Sequence, residues 1–114
     1  MADTISEIAL ETLAAKAAEA ARLLKLLANE RRLLVLCQLQ GGEMTVGALA
    51  RRVGLSQSAL SQHLARLRRD GLVATRRERQ TIHYRLADPA AAKVIGVLYE
   101  LYCGPPTTSE GTMP

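Results

Sequence analysis

The sequence lacks several features that would assign it to common protein classes. It contains no run of about eighteen or more apolar residues, so we expect no membrane-spanning helix. Its first residues, MADTISEIAL, have no basic flank before an apolar stretch, so no secretory signal is visible and we expect a cytoplasmic protein. Two cysteines cannot form a disulfide framework, and in a reducing compartment a disulfide would be transient or sensing and not structural.

Motifs of enzymes and metal sites are also scarce. There is no Cys-x-x-Cys, no glycine-rich phosphate loop and no recognisable Ser/His/Asp or carboxylate cluster, so we predict no enzymatic activity. The only histidines are His63 and His83, and neither belongs to a set of three or four convergent ligands of the kind that zinc needs. We therefore predict no metal and no cofactor.

The positive charge is concentrated in the middle of the chain. Residues 51–85 hold nine arginines and only two acidic residues, Asp70 and Glu78, whereas both flanking segments are slightly acidic. A localised basic segment indicates an anionic partner, although a solvated basic face would give the same composition. The arrangement of the arginines in the fold decides between an anionic partner and a solvated face.

The helix and strand signals predict one mainly α-helical domain with a β-hairpin, in the order ααααββα. The 114 residues are nearly half apolar, which is enough for one compact core. Asn29, Thr45, Ser56 and Asp88 each precede a helical pattern and suit its N-cap. The predicted helices cover residues 4–28, 30–40, 46–53, 57–70 and 89–103, the hairpin strands cover 72–76 and 81–86, and a disordered tail follows the domain (1–104) at 105–114.

The third and fourth helices have the arrangement of a helix-turn-helix. A short helix, a turn at Gly54 and a second helix carrying Leu60, Leu64 and Leu67 on one face are typical of this DNA-binding motif. Amide and hydroxyl side chains at the start of the second helix can read base edges, arginines farther along can contact phosphates, and the basic hairpin can serve as a wing. The predicted DNA-binding residues are Gln57, Ser58, Ser61, Gln62, Arg66, Arg68, Arg69, Arg76, Arg77, Arg79 and Gln80.

The segment LSQSALSQHLARLRRDGLV, followed by the R, Q and YRL of the hairpin, resembles the ArsR/SmtB family of winged-helix repressors. The resemblance covers nearly the whole chain apart from its extreme N-terminus and tail. It implies a homodimer joined through the first and last helices, bound to an inverted-repeat operator in double-stranded DNA and released by an inducer. The apolar character of both helices supports this independently. The alternative from another class is a protein-interaction module that has kept the winged fold.

Within that family, Cys37 in VLCQL and Cys103 in LYC match the two positions of the persulfide- and oxidant-responsive subgroup that includes BigR, SqrR and HlyU. The resemblance implies that a disulfide or a bridge with additional sulfur atoms joins them in response to reactive sulfur species or oxidants. The cysteine and histidine patterns of the metal-sensing members are missing from MTVGALA and from the last helix.

The physical setting of the two thiols leaves a second reading open. Cys37 lies among leucines and Cys103 at a helix C-terminus, and both settings disfavour the reactive thiolate. A metal-responsive or ligand-independent repressor with structural cysteines is therefore the alternative. The pattern also leaves open whether persulfide or peroxide is the signal, and whether the cysteines pair within one subunit.

Overall fold

The computed structural model describes residues 7–104, and the predicted disordered tail and residues 4–6 of the predicted first helix lie outside this range. Five helices and three strands follow one another in a mainly α-helical winged helix-turn-helix, which confirms the predicted fold class. Their bounds are α1 Glu7–Leu27, α2 Glu30–Leu39, β1 Met44–Thr45, α3 Val46–Val53, α4 Gln57–Arg69, β2 Val73–Glu78, β3 Thr81–Leu86 and α5 Pro89–Cys103.

Each predicted N-cap accepts a hydrogen bond from the first turn of its helix. Asn29 Oδ1 accepts from the Arg32 amide at 3.0 Å, Thr45 Oγ1 from the Ala48 amide at 3.2 Å, and Ser56 Oγ from the Ala59 amide at 3.1 Å. Asp88 Oδ1 caps α5 through two amides, at 2.8 and 3.2 Å. Such caps satisfy amides that have no partner within the helix, so the boundaries follow from local chemistry.

Leucine side chains from all the helices form one core, with α2 at its centre. Val35, Leu36 and Leu39 of α2 are buried, as its nearly continuous apolar sequence predicts. The stripe of Leu60, Leu64 and Leu67 on α4 is also fully buried, and this packing turns the opposite face of α4 to solvent.

The hairpin of β2 and β3 belongs to a three-stranded antiparallel sheet with the order β1-β3-β2, in which β3 is the central strand. Strand β1, in which Met44 pairs with Tyr84, was not predicted because two residues are too few to show an alternating pattern. The prediction that the first hairpin strand ends at Arg76 was wrong: β2 continues to Glu78, since pairing with β3 overrides the weak strand preference of charged residues. We call β2, β3 and the Arg79–Gln80 turn the wing.

Helices α1 and α5 leave large apolar side chains exposed. Helix α1 packs on the core only near its C-terminal end, where Leu27 is buried. Ile8 of α1 is 77% exposed, and Leu101 and Tyr102 of α5 are 68% and 82% exposed. No helix within residues 7–104 is long and apolar enough to cross a membrane.

Candidate DNA-binding surface and cysteine pair

The polar residues predicted to read bases lie together on the exposed face of α4. Gly54 ends α3 with a left-handed backbone (φ 73°), and only Leu55 and Ser56 separate it from α4. The resulting tight turn fixes α4 across α3 and presents its N-terminal half outwards. The predicted α4 residues that are solvent-exposed are Gln57, Ser58, Ser61, Gln62, Arg66, Arg68 and Arg69.

A shallow groove runs along this face. It has a volume of about 350 Å³ and is lined by Gln62, His63, Ala65, Arg66 and Arg69. Two guanidinium groups therefore line the same groove as an amide that can both donate and accept hydrogen bonds, which is the combination of phosphate and base contacts that DNA recognition uses. His63, which follows Gln62 and precedes Leu64 of the leucine stripe, is half-buried and lines this groove.

The wing carries exposed basic residues at and beside its tip. Arg79 has a positive φ of 60°, a conformation that glycine, asparagine or aspartate would adopt more easily in a two-residue hairpin turn. Arginine at this position has an energetic cost of about 1 kcal/mol, and it places a guanidinium at the tip of the wing. Arg77 and Gln80 are exposed next to it.

Arg76 differs from the other wing arginines because its guanidinium is already bound. Its Nη2 lies 2.8 Å from Glu43 Oε1, its Nε contacts both Glu43 carboxylate oxygens at 3.2 Å, and its Nη1 lies 3.3 Å from Glu78 Oε1. His83 Nε2 lies 3.6 Å from the same Glu78 oxygen. The hydrogen bond from Arg76 lowers the pKa of Glu43, and the positive charge of the same guanidinium lowers it further.

Cys37 and Cys103 are on adjacent helices, α2 and α5, that pack against each other within one protomer. Both are free thiols; Cys37 is half-buried and Cys103 is exposed. Burial is the main cause that raises the pKa of Cys37, and Cys103 on the adjacent helix contributes in the same direction. Helix α5 also lies close to the residue that follows α2, as shown by the 3.2 Å that would separate a Cβ on Gly96 from Gln40 Nε2.

The residue after Cys37 connects α2 to the helix-turn-helix. Gln38 Oε1 accepts a hydrogen bond from Arg52 Nη1 of α3 at 3.3 Å. Neither this contact nor the Glu43–Arg76 ion pair was predicted from the sequence, because the partners are 14 and 33 residues apart and no local pattern joins them. Among residues 7–104, no three histidine, cysteine or carboxylate side chains form a group that could hold a metal ion.

Comparison with known proteins identifies relatives that share both sequence and fold. Residues 29–75 match the sequence model of a family described as "Bacterial regulatory protein, arsR family". The transcriptional activator HlyU of Vibrio cholerae is 53% identical over 94 residues, which is 82% of this chain and 87% of HlyU.

Solved structures extend the same relationship. Reduced HlyU from Vibrio cholerae superposes with a TM-score of 0.75 at 53% identity, covering 82% of this chain and 98% of that structure. The transcriptional repressor BigR from Xylella fastidiosa has a TM-score of 0.75 at 42% identity, covering 82% of this chain and 95% of BigR.

Proposed function

The chain belongs to the arsR family of bacterial regulatory proteins, and we propose that it is a repressor whose operator affinity falls when Cys37 and Cys103 become covalently linked. It is a DNA-binding transcriptional regulator of the HlyU and BigR type and not an enzyme, as the sequence predicts. The observation that carries the proposal is that the two free thiols lie on α2 and α5, helices that pack against each other within one protomer.

In this proposal the exposed face of α4 enters the major groove of an inverted-repeat operator. Gln57, Ser58, Ser61 and Gln62 contact base edges, because their amide and hydroxyl groups can donate and accept hydrogen bonds. Arginines of α4 and of the wing neutralise phosphates, which position the protein without specifying the sequence. We assign this phosphate role to Arg66, Arg68, Arg69, Arg77 and Arg79, with Gln80 beside them at the wing tip.

Arg76 is the exception among the predicted DNA contacts. Its bonds to Glu43 and Glu78 occupy the guanidinium, so we propose that it positions the wing and leaves phosphate binding to Arg77 and Arg79. The logarithm of the affinity falls with the logarithm of the salt concentration, and each lost phosphate contact makes this slope less steep by about 0.9. Arg77→Ala and Arg79→Ala should therefore each reduce the slope by about one unit per protomer, as measured by fluorescence anisotropy on operator DNA at several salt concentrations.

Arg76→Ala is the matched control, because it removes the same charge from the same wing. We expect it to leave the slope nearly unchanged while lowering affinity modestly, since the wing loses its connection to Glu43. An equal reduction of the slope by all three variants would return Arg76 to the set of phosphate contacts.

The link between the cysteines would act on the DNA-binding unit through α2. Joining Cys37 to Cys103 ties α2 to the helix that we propose forms the dimer, while Gln38 beside Cys37 contacts Arg52 of α3. A shift of α2 would therefore move the helix-turn-helix relative to its counterpart in the partner subunit and change the spacing of the two recognition helices. A hundredfold loss of affinity needs only about 2.7 kcal/mol of difference between the two states.

The raised pKa of Cys37 predicts how bridge closure depends on pH. Only the thiolate attacks sulfur, and burial makes the thiolate of Cys37 rarer at neutral pH than that of an ordinary cysteine. Below the pKa, its fraction rises about tenfold per pH unit. We expect the closure rate, followed by quenched intact-mass measurements after modification of Cys103, to keep rising beyond the pH at which free cysteine levels off. A rate that levels off near neutral pH would mean that Cys37 has a lowered pKa.

The function is tested by measuring intact mass and operator affinity on the same samples. Reduced protein is treated separately with an organic persulfide, oxidised glutathione and hydrogen peroxide. We expect persulfide to join Cys37 and Cys103 and to weaken DNA binding, with a loss of two hydrogens for a disulfide or added sulfur for a longer bridge. The relative HlyU from Vibrio cholerae has been solved in a reduced form, which supports treating the redox state of the thiols as the variable in this experiment.

The other outcomes decide between the alternatives. DNA release by peroxide with the same loss of two hydrogens would make the protein a general oxidant sensor. Unchanged mass and affinity under all three reagents would make the cysteines structural, and affinity that follows zinc addition and chelation would instead identify a metal-responsive repressor.

A further inference from the structure

Helices α3 and α4 form a surface that carries basic side chains and no acidic ones. The sequence contains no aspartate or glutamate between Met44 and Arg69, whereas these two helices hold five arginines. The three on α4 are among the proposed phosphate contacts. The other two are Arg51 and Arg52 of α3, which composition alone does not distinguish, so the role of each depends on what its guanidinium contacts.

The two arginines of α3 differ in their contacts. Arg52 donates a hydrogen bond from Nη1 to Gln38 Oε1 of α2 at 3.3 Å, so part of its guanidinium is held against the body of the protein. Arg51 is exposed, and within residues 7–104 no carboxylate forms an ion pair with it. An exposed guanidinium without a carboxylate partner keeps its charge and its hydrogen-bond donors for another anion.

The guanidinium of Arg51 lies at the edge of the proposed base-reading face. Arg51 follows Gly47 by one helical turn, and a Cβ built on Gly47 would lie 3.9 Å from Arg51 Nη1 and 3.6 Å from Gln57 Nε2. The guanidinium of α3 and the side-chain amide of the first residue of α4 are therefore close to the same turn of α3. Both groups can donate hydrogen bonds, and Gly47 has no side chain that would keep a DNA backbone away from them.

We propose that Arg51 binds a phosphate of the operator backbone beside the start of α4, and that Arg52 does not. This assignment rests on the proposed entry of α4 into the major groove. The first helix of a helix-turn-helix crosses the DNA backbone next to that groove, so an exposed guanidinium on α3 is within reach of a phosphate. Such a contact fixes the register and orientation of α4 on the duplex without reading the sequence itself.

Substitution of each arginine by glutamine separates the two roles. Arg51→Gln should make the slope of log affinity against log salt less steep by about one unit per protomer, because one phosphate contact is lost. Arg51→Lys keeps the charge and should keep most of the slope. Arg52→Gln is the matched control, since it removes the same charge from the adjacent residue, and it should leave the slope nearly unchanged. The measurement is fluorescence anisotropy of labelled operator DNA with full-length reduced protein at several salt concentrations.

Neutral replacements of single phosphates test the contact directly. The phosphates of one half-site are replaced in turn by methylphosphonate, which keeps the backbone and removes its negative charge. For the unsubstituted protein, replacement of the phosphate that Arg51 binds should lower affinity about tenfold, the loss expected for one hydrogen bond between charged groups. The same replacement should lower the affinity of Arg51→Gln by less than about twofold, because the partner of that phosphate is already missing. A variant that only disturbed the fold would stay sensitive to every replacement.

The outcomes distinguish failure of this contact from failure of the function on which it rests. Equal changes of slope for Arg51→Gln and Arg52→Gln would overturn the assignment while operator binding stands. So would an Arg51→Gln variant that is as sensitive as the unsubstituted protein to every methylphosphonate. If the unsubstituted protein bound operator and unrelated DNA with equal affinity at every salt concentration, the proposed repressor function and the placement of α4 would both fail.

Discussion

Replacing Cys37 by serine is expected to make operator affinity insensitive to organic persulfide, whereas the unsubstituted protein should lose about a hundredfold under the same treatment. The reason is that serine cannot form a bond to sulfur. Persulfidation of Cys103 would then stop at an open adduct that leaves α2 and α5 free to move relative to each other. The measurement is anisotropy of labelled operator DNA before and after treatment.

Cys103→Ser is the complementary variant, and the two substitutions should block different steps of bridge formation. Without Cys103 the exposed thiol that reacts first is missing, so Cys37 should be modified slowly if at all, because it is half-buried and burial raises its pKa. Without Cys37, Cys103 should still gain one sulfur atom. Peptide mass distinguishes the two results, although both variants should retain DNA binding in persulfide.

The affinity of each reduced variant serves as the control for folding. Neither cysteine lies among the buried residues of the core, so serine at either position should leave reduced affinity within about threefold of the unsubstituted protein, which corresponds to less than 1 kcal/mol. If Cys37→Ser were still released from DNA by persulfide to the full extent, modification of Cys103 alone would be the signal, and no bridge would be needed.

Much of this fold could be predicted because its boundaries depend on single residues and their immediate neighbours. Thr45 and Ser56 cap the two helices of the DNA-binding motif through amides three residues away, and Gly54 ends the first of them because glycine accepts a positive φ. The exposed reading face followed from the leucine stripe of α4, since a helix that buries one side must present the other to solvent.

Interactions between distant residues could not be predicted in the same way. The ion pair between Glu43 and Arg76 joins residues on either side of the whole helix-turn-helix, and it separates one wing arginine from its neighbours, which look the same in the sequence. The proximity of Cys37 and Cys103 was implied by family resemblance and not by residue pattern, because it depends on how α5 returns to α2 after the wing. The proposed roles of these residues in DNA binding and sensing stay predictions.

A charge on the exposed apolar face of α5 should separate the two subunits and weaken operator binding about a thousandfold. We propose that this face and that of α1 meet their counterparts in a homodimer, because Ile8, Leu101 and Tyr102 together expose more apolar surface than a small monomer needs. Leu101→Glu would place a carboxylate in that apolar contact, where its desolvation opposes association. A monomer engages only one half-site, and losing the second contact of a bivalent complex reduces affinity about 10²- to 10⁴-fold.

The test combines sedimentation with DNA binding, and Leu101→Met is the matched control because it keeps the volume and apolar character of the side chain. Since Leu101 is 68% exposed in the protomer, Leu101→Glu should leave the circular dichroism spectrum unchanged, so that loss of affinity reports on assembly and not on folding. Ile8→Glu should give the same result from α1. If Leu101→Glu sediments as a dimer with full operator affinity, the subunits must meet through another surface. A bridge between α2 and α5 would then have to change the spacing of the two DNA-reading helices without involving the exposed face of α5.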